Sequence, residues 1–268
     1  MIDIHSHILY GLDDGAEDLE ETLEMLRIAE EDGIKKMITT PHYIYGSTEY
    51  DEEDIENRLN TIQSLIEDEG MEIRLFSGNE LYMDYYLSSS LRQGHCLTLA
   101  DSNYVLVELP MDVVPSYTEN VLYALFEQGY RVILAHPERY GPIQREPEIL
   151  YRYIEMGCLV QVNALSVNGM TGTKMQELTK RFMEKNWVHF IGSDCHSKRV
   201  RAPRLSKAFE LTEQWVGKKK AQEIFDENAE KILQNEELLP KYKAEPPART
   251  KTFAFLPFLG GGKKHLDF

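Results

Sequence analysis

Tyr104-Val105-Leu106-Val107-Glu108-Leu109 is an apolar run broken only by a carboxylate near its end. Residues 116–128 follow, with Gly129 as a stop, and then Arg131-Val132-Ile133-Leu134-Ala135 runs into His136. Runs this short and this rich in Val, Ile, Leu and Tyr read as strands, and the longer segment between them reads as a helix. Strand, helix, strand predicts a parallel pair joined by a crossover.

The same unit repeats outward in both directions. Further strands are expected at residues 1–5, 36–40, 72–76, 158–162 and 188–191, with helices at 17–32, 51–68, 173–185, 205–215 and 219–234. In 51–68 the apolar positions Ile55, Leu59, Ile62, Leu65 and Ile66 fall at helical spacing, and Gly70 follows. Seven strands alternating with helices imply an α/β fold with a parallel sheet, open or closed, and suggest an incomplete or distorted barrel rather than a regular eight-fold one. Residues 1–240 are read as this unit. Residues 241–268, with Pro246-Pro247, Phe253, Phe255, Phe258, three glycines and Lys263-Lys264, are read as a basic, aromatic extension, flexible or docked on a partner.

The 268 residues carry a net charge of −16, divided unevenly. Residues 1–240 hold 23 lysines and arginines against 43 aspartates and glutamates, whereas 241–268 hold 6 against 2. Such an acidic body repels nucleic acid and acidic membrane surfaces. No stretch approaches the roughly 20 apolar residues of a membrane span, and the start lacks a signal peptide. Cys96, Cys158 and Cys195 form no CxxC pair, which suits a reducing compartment. A cytoplasmic protein without a transmembrane segment is expected. An acidic protein that acts on an anion would need a local source of positive charge.

The ends of the strands supply one. His5 and His7 close the first strand, His42 follows the second, Glu80 follows the third, Glu108 ends the fourth, His136 ends the fifth, and Asp194 and His196 end the last. Strand C-terminal ends gather at one face of a parallel α/β fold, where catalysis occurs. Residues two apart on a strand share a side, so His5 with His7 and Asp194 with His196 are suited to hold one ion jointly. Imidazole and carboxylate donors without thiolate suit Mn, Fe or Zn with open positions. With Asp14, nine donors exceed what one ion takes, and two or three ions per chain are expected. Three divalent ions outweigh the four carboxylates by about the charge of a phosphate monoester dianion. Hydrolysis of a phosphate ester by metal-activated water follows, with Arg139 and Arg201 forking onto phosphoryl oxygens.

Asp3-x-His5-x-His7, Asp13-Asp14-Gly15, Thr40-Pro41-His42, Glu80, Glu108, His136-Pro137-Glu138-Arg139 and Ser193-Asp194-x-His196 together resemble the polymerase and histidinol phosphatase (PHP) superfamily. Within it, the pattern over residues 1–235 is similar to the manganese-dependent bacterial protein tyrosine phosphatases encoded with capsule and exopolysaccharide genes. The resemblance implies a distorted seven-stranded (β/α) barrel of the PHP type with a trinuclear site and manganese as first choice. One ion would take His5, His7, Glu80 and Asp194, a second Glu80, Glu108 and His136, and a third Asp14, His42 and His196. It also implies a phosphotyrosine protein as substrate, a membrane-associated bacterial tyrosine kinase, and a cytoplasmic location. Asp14 is additionally a candidate proton donor.

Three other readings stay open at this point. One is a small-molecule phosphatase such as one acting on histidinol phosphate, and one is a kinase-binding regulator without catalysis. The third is a thiol mechanism, because Cys195 and Arg201 stand at C-x5-R spacing. Its loop contains no glycine, and alternation turns Cys195 away from Asp194 and His196. Tyr43, Tyr45, Tyr82 and Tyr140 follow ligand motifs and are candidates to line the rim of the site.

Overall fold

The structure is a computed structural model that describes residues 1–239 and 244–246. Its strands are β1 (Ile2–Asp3), β2 (Lys36–Ile38), β3 (His42–Tyr43), β4 (Arg74–Phe76), β5 (Glu80–Tyr82), β6 (Tyr104–Glu108), β7 (Arg131–Leu134), β8 (Leu159–Asn163) and β9 (Phe190–Gly192). All pairs are parallel, in the orders β1-β2-β4 and β3-β5-β6-β7-β8-β9.

Nine strands stand among the described residues where seven were expected, because the runs at 36–40 and 72–76 are each followed by a further short strand, β3 and β5. Thr39-Thr40-Pro41 separates β2 from β3, and Ser77-Gly78-Asn79 separates β4 from β5. Pro41 has no N–H for a ladder. At Gly78 a Cβ would lie 3.0 Å from the Leu99 side chain and 3.2 Å from Ile38, so the backbone dips toward its neighbours there. Thr39 N–H donates to the Phe76 carbonyl at 2.8 Å and Thr40 N–H to Ser6 at 2.7 Å, which ties the ladders together across the breaks. On the other side Ser6 bridges Cys195. His7 N–H donates to the Cys195 carbonyl, and Asp194 N–H to His5, both at 2.9 Å. The result is an α/β fold with a curled parallel sheet.

Alternation along the strands assigns two apolar layers. Val105 and Val107 of β6 pack in a large cluster with Leu122 and Leu125 of helix Thr118–Glu127, on the face that the helices cover. Tyr104 and Leu106 point the other way, into a smaller cluster with Ile38, Ile133, Leu159 and Phe190. Ala229 and Ile232 of helix Asn228–Leu233, together with Leu99, belong to this inner plug. Two positions beyond plug residues on the same strands stand Glu108, Gln161 and Gly192. The polar layer therefore lies directly above a closed apolar floor.

The helices expected at 17–32, 51–68, 116–128, 173–185 and 205–215 appear with their ends trimmed or shifted by one or two residues. Asp18 caps Leu19–Glu31 through the Glu21 N–H, and Asp51 with Asp54 forms a capping box on Glu52–Asp68. The expected helix 219–234 is instead Lys218–Gln222, a π-type segment at Glu223–Glu227, and Asn228–Leu233. The short helices Leu87–Arg92, Gly141–Arg145, Glu148–Met156 and Ala164–Val167 were not expected. Among the described residues no helix is long and apolar enough to cross a membrane.

Of the expected extension at 241–268, all but residues 244–246 lie outside the described residues. Those three rest on the body. The Trp187 indole N–H donates to the Glu245 carbonyl at 2.7 Å, and Glu245 N–H donates to Lys185 at 2.8 Å.

Because the inner plug is small and fully buried, shortening one of its members should be felt strongly. Leu106→Ala is expected to lower unfolding free energy by about 2–5 kcal/mol, read as a shift in the urea midpoint at unchanged slope.

Candidate metal centre

The segments that follow β1 and β9 lie side by side and carry four of the candidate donors. His5 and His7 aim their Nε2 atoms at each other across 3.1 Å. His5 Nδ1 lies 3.1 Å from Gln161 Oε1, and that same oxygen accepts the His136 backbone N–H at 3.2 Å. His7 Nδ1 lies 2.6 Å from Asp13 Oδ2. Oxygens that only accept fix both rings with the proton on Nδ1, which leaves two Nε2 lone pairs facing one point. Glu80 Oε2 lies 3.3 Å from the first Nε2 and 3.4 Å from the second; Asp194 Oδ1 lies at 3.5 and 3.6 Å. Two lone pairs and two carboxylate oxygens around one point call for a cation.

The rest of the cluster adjoins it. His42 Nδ1 is 3.0 Å from Glu80 Oε2, and its Nε2 is 3.4 Å from Asp14 Oδ1. His196 Nε2 reaches the same Asp14 oxygen at 3.2 Å. His136 Nε2 is 2.9 Å from Glu80 and 3.5 Å from Glu108. Three overlapping groups bring ligand atoms within 4.8 Å of one another: His7, Asp14, His42 and His196; His5, His7 and Glu80; His42, Glu80 and Glu108. Glu80 Oε2 and His42 Nδ1 are buried without a hydrogen-bond partner despite their proximity. Orphaned buried acceptors of this kind fit a metal centre.

Two donors depend on unusual backbone. His136 (φ 32°) and Asp194 (φ 51°) are left-handed, a region that non-glycine residues rarely adopt. The chain turns out of the strand at these positions and directs their side chains across the mouth. Gly192 is needed for another reason: a Cβ there would lie 2.7 Å from His5 Cβ and 2.9 Å from Gln161 Nε2.

Charge is concentrated to match. Burial opposes ionisation of His7 and His42, yet Asp13 holds His7 up at about 9, and Asp14 with Glu80 holds His42 up at about 11. Glu80 sits well below the usual carboxylate range, because His5, His136 and His42 outweigh its burial. Burial and the neighbouring Glu80 charge push Glu108 up to about 7. His5 and Arg201 help hold Asp194 low against its burial. The carboxylates thus draw positive charge onto the cluster, as protons on His7 and His42 where no cation takes the ring lone pairs.

Arg139 and Arg201 both reach Asp194, through Nη1 to Oδ2 at 3.1 Å and through Nη2 to Oδ1 at 2.6 Å. Each keeps about a third of its side chain exposed (34% and 32%), so the forks border both the cage and solvent. All eleven candidate residues therefore meet in one cluster. The sequence reading passed over Asp13, Gln161 and Asn163. Asp13 was visible beside Asp14 in the same motif, and Gln161-x-Asn163 closes the one strand that offered no ligand. These amides form a chain of fixed polarity. Gln161 donates to Asn163 Oδ1 at 2.9 Å, and Asn163 donates to Asp194 Oδ2 at 2.5 Å.

Cys195 does not belong to this cluster. Its side chain is fully buried in the large apolar cluster, and burial pushes its thiol far up, which removes the basis of a thiol mechanism. Two rim candidates are also corrected. Tyr140 is buried, with its hydroxyl bonded to Ala135 and Leu109, and Tyr43 is buried as well. Tyr45 is exposed and Tyr82 is partly so.

A curled parallel α/β sheet with imidazole and carboxylate donors converging at its strand ends has the layout of an α/β protein with a candidate metal centre. The chain belongs to the CpsB/CapC family of capsular polysaccharide synthesis, whose model matches residues 1–234. It is 32% identical over 255 residues to the tyrosine-protein phosphatase YwqE of Bacillus subtilis, covering 95% of this chain and 100% of YwqE. It is 30% identical over 241 residues to the tyrosine-protein phosphatase CpsB of Streptococcus pneumoniae, covering 88% and 99%. A crystal structure from the pair YwqE and CpsB, described as metal-dependent tyrosine phosphatases, matches with a TM-score of 0.88 at 32% identity over 93% of this chain and 100% of that one. A β-aspartyl dipeptidase from Fervidobacterium islandicum shares the fold at a TM-score of 0.53 and 12% identity, over 91% of this chain and 78% of that one.

Because Gln161 and Gly192 act only through His5, Asp194 and their neighbours, their replacement should weaken the metal without removing a ligand. Gln161→Leu and Gly192→Ala are each expected to reduce manganese affinity about 10–100-fold in calorimetric titration. Unchanged affinity in both would show that the cage needs no such support.

Proposed function

We propose that this chain is a metal-dependent protein tyrosine phosphatase that dephosphorylates a bacterial tyrosine kinase, or that kinase's targets, in control of capsular or exopolysaccharide synthesis. The observation that carries this reading is the pair of facing His5 and His7 lone pairs among carboxylates, bordered by two arginine forks, in a family whose relatives are tyrosine phosphatases. His5, His7, Asp14, His42, Glu80, Glu108, His136, Asp194 and His196 would hold two or three divalent ions, manganese first, with iron or zinc also suited to these donors. Ions bound there supply Lewis acidity toward phosphoryl oxygens and make water more acidic.

The chain's own groups do the rest. Arg139 and Arg201, clamped by Asp194 so that each fork is set before substrate arrives, bind the non-bridging phosphoryl oxygens. Asp14 keeps 68% of its side chain exposed, but His196 and His42 hold its carboxyl far below the usual carboxylate range, so it stays ionised and serves as a ligand rather than as the candidate proton donor. A phenolate leaves readily, with a pKa of about 10, so strong acid assistance is not required.

The curled sheet is read as a distorted seven-stranded PHP-type barrel, in which β2 with β3 and β4 with β5 each form one interrupted strand. The backbone bonds between the segments after β1 and β9 support this. Residues 1–240 form the catalytic unit. The contacts of residues 244–246 with Lys185 and Trp187 support an extension that starts docked on it. Three buried cysteines without a disulfide fit a cytoplasmic setting.

Three outcomes are expected on a phosphotyrosine peptide. Chelation abolishes turnover and manganese restores it, with kcat/KM on this peptide exceeding that on histidinol phosphate and on a phosphoserine peptide by more than about tenfold, or about 1.4 kcal/mol. Arg139→Ala and Arg201→Ala each lower kcat/KM by about 10²-fold, as loss of a charge-stabilising donor does. Cys195→Ser keeps its activity, and inactivation of that variant at full metal occupancy would restore the thiol mechanism.

A further inference from the structure

A row of tyrosines continues outward from the metal cluster on the loops after β3, β5 and β6. Tyr82 pairs in register with Glu108 and lies two residues beyond Glu80 on the same face of β5, so it stands at the inner edge of the mouth. Burial, with the Glu108 carboxylate and Tyr117, raises the pKa of its hydroxyl. From Tyr117 the rings step outward. Tyr85 meets it edge to face at 6.2 Å, Tyr86 meets Tyr85 at 5.6 Å, and Tyr45 stacks on Tyr86 at 4.8 Å. Tyr45, Tyr85 and Tyr86 are 47%, 67% and 52% exposed. Asp84 Oδ1 accepts the Tyr86 N–H at 2.5 Å and holds the turn that presents these rings.

An ordered, exposed aromatic row marks a contact surface rather than core. Tyrosine suits polypeptide contact, because it covers a large area at little cost in side-chain entropy. The charge around the row narrows the occupant. Residues 43–57, 80–91 and 109–130 contain no lysine or arginine, and Glu49 and Asp112 are exposed on the same connecting segments as Tyr45 and Tyr117. Such a surface repels acidic polypeptide and favours cationic side chains, which also gain from the ring faces.

Resting on the phosphatase reading above, we infer that this row is a docking ledge for the polypeptide flanking the phosphotyrosine, and that it selects flanks carrying lysine or arginine over acidic ones. The phosphate enters the metal cluster while the neighbouring residues lie along Tyr82, Tyr117, Tyr85, Tyr86 and Tyr45. The ledge thereby separates protein substrates from small phosphate esters, which reach only the cluster.

The test compares two phosphotyrosine peptides, flanked by lysines or by glutamates, with p-nitrophenyl phosphate as the small ester, on manganese-loaded full-length protein. The lysine-flanked peptide is expected to have the higher kcat/KM by about tenfold at low salt, with the preference shrinking as ionic strength rises. It should also shrink in the Glu49→Gln, Asp112→Asn double variant. Tyr86→Ala should lower the ratio of kcat/KM on this peptide to that on p-nitrophenyl phosphate by about tenfold, mainly through KM. Equal rates on the two peptides, or an unchanged ratio in Tyr86→Ala, would overturn the ledge while leaving the phosphatase reading intact. If no ester is hydrolysed, the phosphatase reading fails by itself. The ledge is then judged by anisotropy of a labelled lysine-flanked phosphonate peptide, which Tyr86→Ala must weaken. Self-association of the protein that Tyr85→Ala abolishes would assign the row to a second copy and overturn the proposal.

Discussion

Two imidazole nitrogens held lone pair to lone pair, 3.1 Å apart in a buried site, form the constraint on which the centre depends. Gln161 and Asp13 occupy the far nitrogen of each ring, so neither histidine can escape by changing tautomer. Such an arrangement is unfavourable in a low-dielectric interior without positive charge between the rings. Much of the surrounding architecture holds it in place: the bridge between Ser6 and Cys195, the missing side chain at Gly192, and the apolar plug beneath. The stability of the frame and the chemistry of the mouth are thereby linked through one short segment after β1.

The acidic balance of the chain follows the same logic. A body at −20 over residues 1–240 would repel a phosphate ester, yet three of its carboxylates, Glu80, Glu108 and Asp194, are buried at the strand ends. There Asp194 holds the guanidinium groups of Arg139 and Arg201, and the cations proposed above would make the local field at the mouth opposite in sign to that of the surface. On the docking reading proposed above, exposed acids such as Glu49 and Asp112 would act on the approach of the substrate rather than on its binding at phosphorus.

Much of this was legible in the residues, for identifiable reasons. Alternation in runs such as 104–109 and 131–135 is a strong signal, because one face of each strand meets helices and the other a closed plug. The ligands were visible because parallel strands deliver their ends to one place, so that distant residues such as His5, Glu108 and His196 converge. The breaks at 39–41 and 77–79 were not foreseen, since Pro41 and Gly78 interrupt a ladder only when a neighbour's position is known. Gln161 and Asn163 were passed over because amides carry no charge and look like ordinary strand residues until their partners are in view. Tyr140 was misjudged for a related reason: following a ligand motif does not say whether the chain turns outward or inward next, and a 3₁₀ turn at Pro137–Arg139 turns it inward.

Those breaks in β2/β3 and β4/β5 have a consequence for how such a protein changes over evolutionary time. His42 and Glu80 ride on two- and three-residue pieces that leave the β1-β2-β4 ladder and pair instead in the ladder of β6, so this part of the rim is anchored on a different ladder from the strands directly below it. Substitutions that tilt or lengthen the rim can accumulate there with little loss of cooperativity in the base. One scaffold can in this way diversify its clientele, retaining a rigid foundation while its entrance is remodelled.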